Sequence, residues 1–190
     1  MRIRITGLLA ILALFGCVFA KAEPPKSAKK IYLLADTEHQ QWCAFSSEAT
    51  WKSEVKSLSS MRVTTVDYVD GRVTTIRVTE EDETGDWIVY DHYSLDESGM
   101  LRKLKRTINV LPGDRSEEQV FLIQGEKSRK QSSTSRTLST GKPISPSKDW
   151  LPEVPIVTSL HVFPFSPLLD AEKLDEIRSK GKACVRVDRP

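Results

Sequence analysis

The chain has 190 residues, 39% of them hydrophobic and 28% charged, with a formal net charge of +2. That length supports one domain with a core of its own, and the composition is that of an ordinary globular protein. The positive excess belongs to the first 22 residues: removing Arg2, Arg4 and Lys21 takes the net charge from +2 to −1, which argues against a nucleic-acid binder.

Residues 1–22 read as a secretory signal peptide. Arg2 and Arg4 give a basic start, residues 5–20 are almost wholly apolar, and Ala20-Lys21-Ala22 fits the small-x-small cleavage pattern, with the cut after Ala22 or, alternatively, after Ala20. The apolar run is short for a bilayer span. Leu14-Phe15-Gly16-Cys17 resembles a bacterial lipoprotein box, although Phe15 is bulky for it; lipidation of Cys17 would be the route to a membrane. A mature chain of residues 23–190 is expected as a single β-rich domain that begins with a loose polar arm at 23–30.

Residues 31–35 suit a short strand or a first helical turn. Between 40 and 58 the pattern is mixed: Trp42, Ala44 and Ser46 alternate with Cys43 and Phe45, and Trp51, Ser53 and Val55 continue a strand-like alternation, so a strand is expected there despite the helical spacing of Trp51, Val55 and Leu58. Residues 62–80 form a hairpin, RVTTV and RVTTI flanking Asp70-Gly71, a dipeptide that favours the two-residue turn matched to strand twist. The acidic stretch 80–85 reads as a solvated turn; its carboxylates suit a hard cation, but EF-hand spacing is absent.

The central hairpin spans 87–110. Trp87, Val89, Tyr93 and Leu95 alternate with Ile88, Tyr90, His92 and Ser94, and Asp91 interrupts the apolar face. Residues 96–99 supply the turn. On the return strand Met100, Leu104, Ile108 and Val110, with Arg102 and Arg106, occupy one face, and Leu101, Lys103, Lys105, Thr107 and Asn109 the other. Pro112 ends the strand for want of an N–H. Residues 118–124 read as a further strand, 126–140 as largely exposed with a strand continuation at 134–138, and 141–155, with four prolines, as a wrapping loop. Residues 156–165 are expected to dock on the sheet as an edge strand ended by Pro164. Ser166-Pro167 looks like a helix start, with Ser166 as N-cap. That helix runs to about 180 and is closed by Gly181, and Cys184, Val185 and Val187 follow as an extended tail.

Two cysteines remain in the mature chain, Cys43 and Cys184. In an oxidising compartment one pair has one intramolecular connectivity, so a Cys43–Cys184 disulfide is expected. No GxSxG, HExxH, P-loop or dinucleotide fingerprint is present, no CxxC or clustered histidines mark a metal, and no cofactor or catalytic residue is implied. Ligand-contact candidates are Trp87, Tyr90, His92, Tyr93, Arg102 and Arg106. Asp67, Asp86 and Asp91 can pair across the sheet with Arg102, Lys103 or Arg106. The basic groups Arg102, Lys103, Lys105, Arg106, Lys127, Arg129, Lys130 and Arg136 could gather into a patch for anionic glycans, lipid head groups or peptidoglycan; the plainer reading is a solvated sheet face with negative neighbours.

The expected fold is mainly β, an α+β arrangement in which a curved antiparallel meander or half-barrel of roughly six to nine strands packs on one C-terminal helix. In outline this resembles periplasmic lipid-carrier folds, in which a half-barrel encloses an apolar cavity, though no motif ties the chain to that family. The expected function is that of an exported, periplasmic or secreted, non-enzymatic ligand-binding module, a carrier of a lipid or other apolar molecule. The alternatives are a structural or interaction protein without a small-molecule site and, behind it, a hydrolase whose site assembles in space.

Overall fold

A computed structural model describes residues 29–36, 39–55, 62–146 and 151–186. The expected signal peptide with its cleavage sites, Cys17, most of the arm at 23–30, and Val187 lie outside these residues.

Among the described residues the fold is one open antiparallel sheet of ten strands, in the order β10-β2-β1-β3-β4-β5-β6-β7-β8-β9. The strands are β1 (Lys29–Asp36), β2 (Gln41–Phe45), β3 (Arg62–Val69), β4 (Arg72–Glu81), β5 (Trp87–Leu95), β6 (Leu101–Val110), β7 (Arg115–Gln124), β8 (Lys127–Thr137), β9 (Pro143–Ile144) and β10 (Lys182–Arg186). From β3 to β9 it is a meander. The chain's last strand returns to the other edge, where β10 pairs with β2. Cys184 there lies directly opposite Cys43, and the two form a disulfide across 141 residues of sequence.

Alternation gives the sheet two faces. The inner face carries Ile31, Leu33, Trp42, Ala44, Val66, Tyr68, Ile76, Tyr93, Leu104, Phe121 and Ile123, all buried in one cluster with Phe163, Phe165, Leu168, Leu174 and Ile177 from the C-terminal region. Those last five residues come from a strap (residues 151–165), a 3-10 turn (Ser166–Leu169) and the helix α2 (Ala171–Lys180). A smaller cluster on the outer face joins Leu34, Cys43 and Phe45 to Trp51 and Val55 of a short helix, α1 (Glu48–Val55).

Helix α1 replaces the strand expected near Trp51. Ser47 opens it, its carbonyl accepting from the Trp51 N–H at 3.1 Å and its hydroxyl from the Thr50 N–H at 3.5 Å, and Glu48 pairs with Lys52 one turn on at 2.7 Å. Trp51 and Val55 then lie one turn apart and reach the outer cluster together. The apolar run 156–165 does not join the sheet either. Prolines at 152, 155 and 164 deny it a regular ladder, and it docks through side chains around a 3-10 turn (Leu160–Val162). The C-terminal helix begins later than expected: Ser166 and Pro167 enter the 3-10 turn capped by Phe165, and Asp170 caps α2. Its end is as expected, with Gly181 at φ 82° and its N–H bonded to the Ile177 carbonyl at 2.8 Å.

Two further differences have local causes. A register shift at Ser94/Leu95 pairs Leu95 with Leu101, so Leu101 is buried while Met100 is exposed, the reverse of strict alternation. Residues 127–137 form a full strand although mostly exposed, because β7 templates them along its whole length. With the two-residue β9 and the tail strand β10, this raises the strand count above that expected.

Candidate functional site

Asp91, the residue that breaks the apolar face of β5, lies opposite Arg106 of β6. Both are buried, at 7% and 3% exposure. The Arg106 Nε and Nη2 groups donate to the two Asp91 carboxylate oxygens at 2.7 Å each, the bidentate fork that suits guanidinium and carboxylate. Burial works against the Arg106 charge, but the Asp91 carboxylate more than offsets it and holds the guanidinium pKa above its ordinary value. Arg106 also donates to the strap: Nη1 to the Val154 carbonyl at 2.5 Å and Nη2 to the Pro155 carbonyl at 3.0 Å. Tyr93, two residues along β5, donates its hydroxyl to Asp91 at 3.4 Å and accepts the Val157 N–H at 3.3 Å. Burial, then the Asp91 charge, pushes the Tyr93 phenol pKa up, so it stays protonated.

This polar knot holds the strap across the inner face, with a cavity on either side. One, of about 210 Å³, is lined by Trp42, Val78, Tyr93, Val157, Phe163 and Phe165, with the Arg62–Glu80 ion pair also on its wall. Its aromatic wall is tightly built: Trp42 and Phe165 lie 5.0 Å apart, Phe163 and Phe165 stack at 4.9 Å, and Tyr93 meets Phe163 edge-on at 5.3 Å. The other, of about 410 Å³, is lined by Ile108, Phe121, Lys130, Leu151 and Ile156 among others. Arg106 lines the larger cavity and Asp91 the smaller, and Val154 and Pro155 line both.

The structure thus joins Tyr93 and Arg106 of the expected contacts. Trp87 lies on the same face, packed with Val89, Ile108 and Val110 against Leu151 and Val154 of the strap. Tyr90 and His92 lie on the opposite, outer face, Tyr90 41% exposed. Arg102 is apart from both groups, at the hairpin turn, bonded to Asp96 at 2.6 Å. His92 faces Arg77 and is separated from Asp91 by the sheet itself. Burial and then Arg77 lower its pKa, so it is neutral at pH 7. The basic residues do not form one patch: Arg106 is buried with Asp91, Arg102 is held by Asp96, and Lys105 by Glu118 at 2.8 Å. In the acidic loop Asp82 serves the turn, accepting the Trp87 N–H at 2.9 Å. Among the described residues no three His, Cys, Asp or Glu side chains converge as metal ligands.

The cleft residues Trp42, Val78, Val157, Phe163 and Phe165 were not candidates from sequence. The apolar run at 156–165 was the available signal, but its partners come from strands far away in the chain. Compared with known protein families, curated proteins and solved structures, the chain matches none.

Proposed function

We propose that this protein is an exported, non-enzymatic binding module that takes an apolar chain, such as a fatty acyl group, beneath the strap. The observation that carries this reading is the pair of cavities flanking a strap fixed to the sheet by side-chain donors. A cleft of about 210 Å³ is below the roughly 300–1,000 Å³ of ordinary ligand sites, so the smaller one accepts a chain segment and not a whole two-chain lipid. Lifting Val154 and Pro155 off Arg106 would join it to the cavity of about 410 Å³ and give an acyl chain one groove, apolar along Val78, Phe163, Ile108 and Phe121 and crossed by the Asp91–Arg106 pair. Export is supported by the leader-like residues 1–22 together with the Cys43–Cys184 disulfide, which persists in oxidising compartments.

Native mass spectrometry of protein purified from its own envelope tests the reading, with cis-parinaric acid fluorescence as the binding assay. A copurifying lipid mass and saturable fluorescence, lost in Val157→Trp, which fills the smaller cavity, are expected. A bare polypeptide mass with no saturable fluorescence refutes it.

One observation favours the interaction-protein alternative: β9 pairs only with Ser135 and Arg136 of β8, leaving residues 127–134 as a sheet edge. That edge carries Lys127, Arg129 and Lys130 and a register shift opposite Val120/Phe121, features that discourage strand addition, so the cleft remains the better-supported site.

A further inference from the structure

The outer face of β5–β8 carries a second concavity, unconnected with the strap. Tyr90, Thr107, Asn109, Ser116 and Arg136 line a groove of about 370 Å³, a size within the usual ligand range. Strand register sets these residues side by side: Tyr90 lies opposite Thr107, Asn109 opposite Ser116, and Ser116 opposite Arg136. The groove's wall, from Leu138 to Gly141, is a fixed turn. Asp114 accepts the Leu138 N–H on its backbone carbonyl at 3.1 Å and the Ser139 N–H and hydroxyl on its carboxylate at 2.8 and 2.6 Å, and Gly141 N–H bonds to the Thr137 carbonyl at 3.0 Å.

Hydrogen-bonding capacity in this groove goes unused. Among the described residues, the side chains of Tyr90, Thr107, Asn109, Ser116 and Arg136 make no hydrogen bond or ion pair within the chain. The Asn109 Oδ1 atom is buried without a partner, which leaves its desolvation uncompensated. Glu118, opposite Thr107, is held by Lys105, so its charge does not neutralise Arg136. The groove therefore offers an exposed aromatic ring, the hydroxyls of Tyr90 and Thr107, the Asn109 amide NH2 and one unpaired guanidinium, while Ser116, 3% exposed, and the Asn109 Oδ1 are buried.

We infer that this groove binds a saccharide bearing a carboxylate. The ring of Tyr90 gives a flat apolar surface for the C–H face of a pyranose. The Tyr90 and Thr107 hydroxyls and the Asn109 amide NH2 match vicinal sugar hydroxyls, which both donate and accept. Arg136 selects a uronic acid over a neutral sugar, because its planar fork engages a carboxylate through two parallel bonds. An acyl chain has no use for these groups, so this site is distinct in chemistry as well as position from the cleft under the strap.

The test is an amide NMR titration of the full mature chain with tetragalacturonate, with maltotetraose and tetra-aspartate in parallel. Saturable shifts centred on Tyr90, Thr107, Asn109, Ser116 and Arg136 are expected with tetragalacturonate, at least five-fold tighter than with either control. Tyr90→Ala and Arg136→Gln, at exposed positions outside the core, should each weaken binding about ten-fold and leave the rest of the spectrum unchanged. Absence of saturable shifts at these residues overturns the inference. Equal binding of maltotetraose removes the role of Arg136, equal binding of tetra-aspartate reduces the site to charge attraction, and either result overturns it too.

Discussion

Replacing Arg106 by Met separates two contributions that the structure combines in one side chain. Arg106 makes four short contacts, two to Asp91 and one each to the carbonyls of Val154 and Pro155. In Arg106→Met, Asp91 keeps only the 3.4 Å bond from Tyr93 in a site 7% exposed. Breaking one half of a buried ion pair costs about 3–5 kcal/mol, because the remaining charge is left desolvated and unpaired. Replacing both partners, in Asp91→Leu with Arg106→Met, removes that orphaned charge. What remains is the loss of donors to two strap carbonyls, about 1 kcal/mol each, offset by better apolar packing. The double variant should therefore be more stable than Arg106→Met alone, by about 2 kcal/mol or more. Urea unfolding followed by tryptophan fluorescence reads this directly, provided the denaturant slopes agree among variants. A double variant as unstable as the sum of the two single ones would refute this account of the pair. So would an Arg106→Met loss below about 1 kcal/mol, since the pair would then behave as a surface contact.

Replacing Cys43 and Cys184 together by Ala should cost about 4–5 kcal/mol on the chain-entropy account, given the 141-residue separation; an unfolding midpoint that barely moves, in the variant or in reduced protein, would contradict it. His92 should titrate below its ordinary value of about 6.5, because burial and then Arg77 disfavour its cation. The unfolded chain thus takes up the proton first, and the His92 contribution to stability, full above about pH 6.5, is lost as pH falls from there through the folded pKa. Arg77→Gln should move the His92 NMR midpoint upward, and an unchanged midpoint would remove the charge explanation. Gly181→Ala places a side chain at φ 82° and should cost about 1–2 kcal/mol in urea unfolding, even though nothing lies within 4 Å of the added carbon.

The strands of the central hairpin were legible because their two faces meet different surroundings, and only a period of two satisfies both. The disulfide was legible from counting alone. Trp51 is ambiguous because a tryptophan between Thr50 and Lys52 fits either period over so short a run, and the deciding feature, Ser47 as the helix opener, is local chemistry rather than periodicity. Asp91 was visible as an irregularity in an apolar face, but its partner among several nearby cations was decided by register, which places Arg106, and not Lys105 or Arg102, directly opposite. The cleft lay beyond periodicity altogether: Trp42, Val78, Tyr93 and Phe163 meet only once the C-terminal chain has folded back over strands laid down much earlier.

That fold-back is held in an unusual way. Among the described residues the strap's backbone bonds between residues 151 and 165 are all local, such as the Val162 N–H to the Ser159 carbonyl at 3.2 Å. The polar ties that hold it to β5 and β6 run through side chains, the Arg106 guanidinium and the Tyr93 hydroxyl. A sheet strand cannot leave without exposing a ladder of N–H and C=O groups, whereas the part of the strap around Val154 and Pro155 has no such ladder to break, while Phe163 and Phe165 stay packed in the core. Apolar residues of similar volume at positions 91 and 106 would give comparable stability, but they could not fix the strap's carbonyls at one point along the groove. The ion pair is thus better understood as setting where the cover sits than as a source of stability, and a cover positioned without being woven into the sheet is what the proposed binding of an apolar chain would call for.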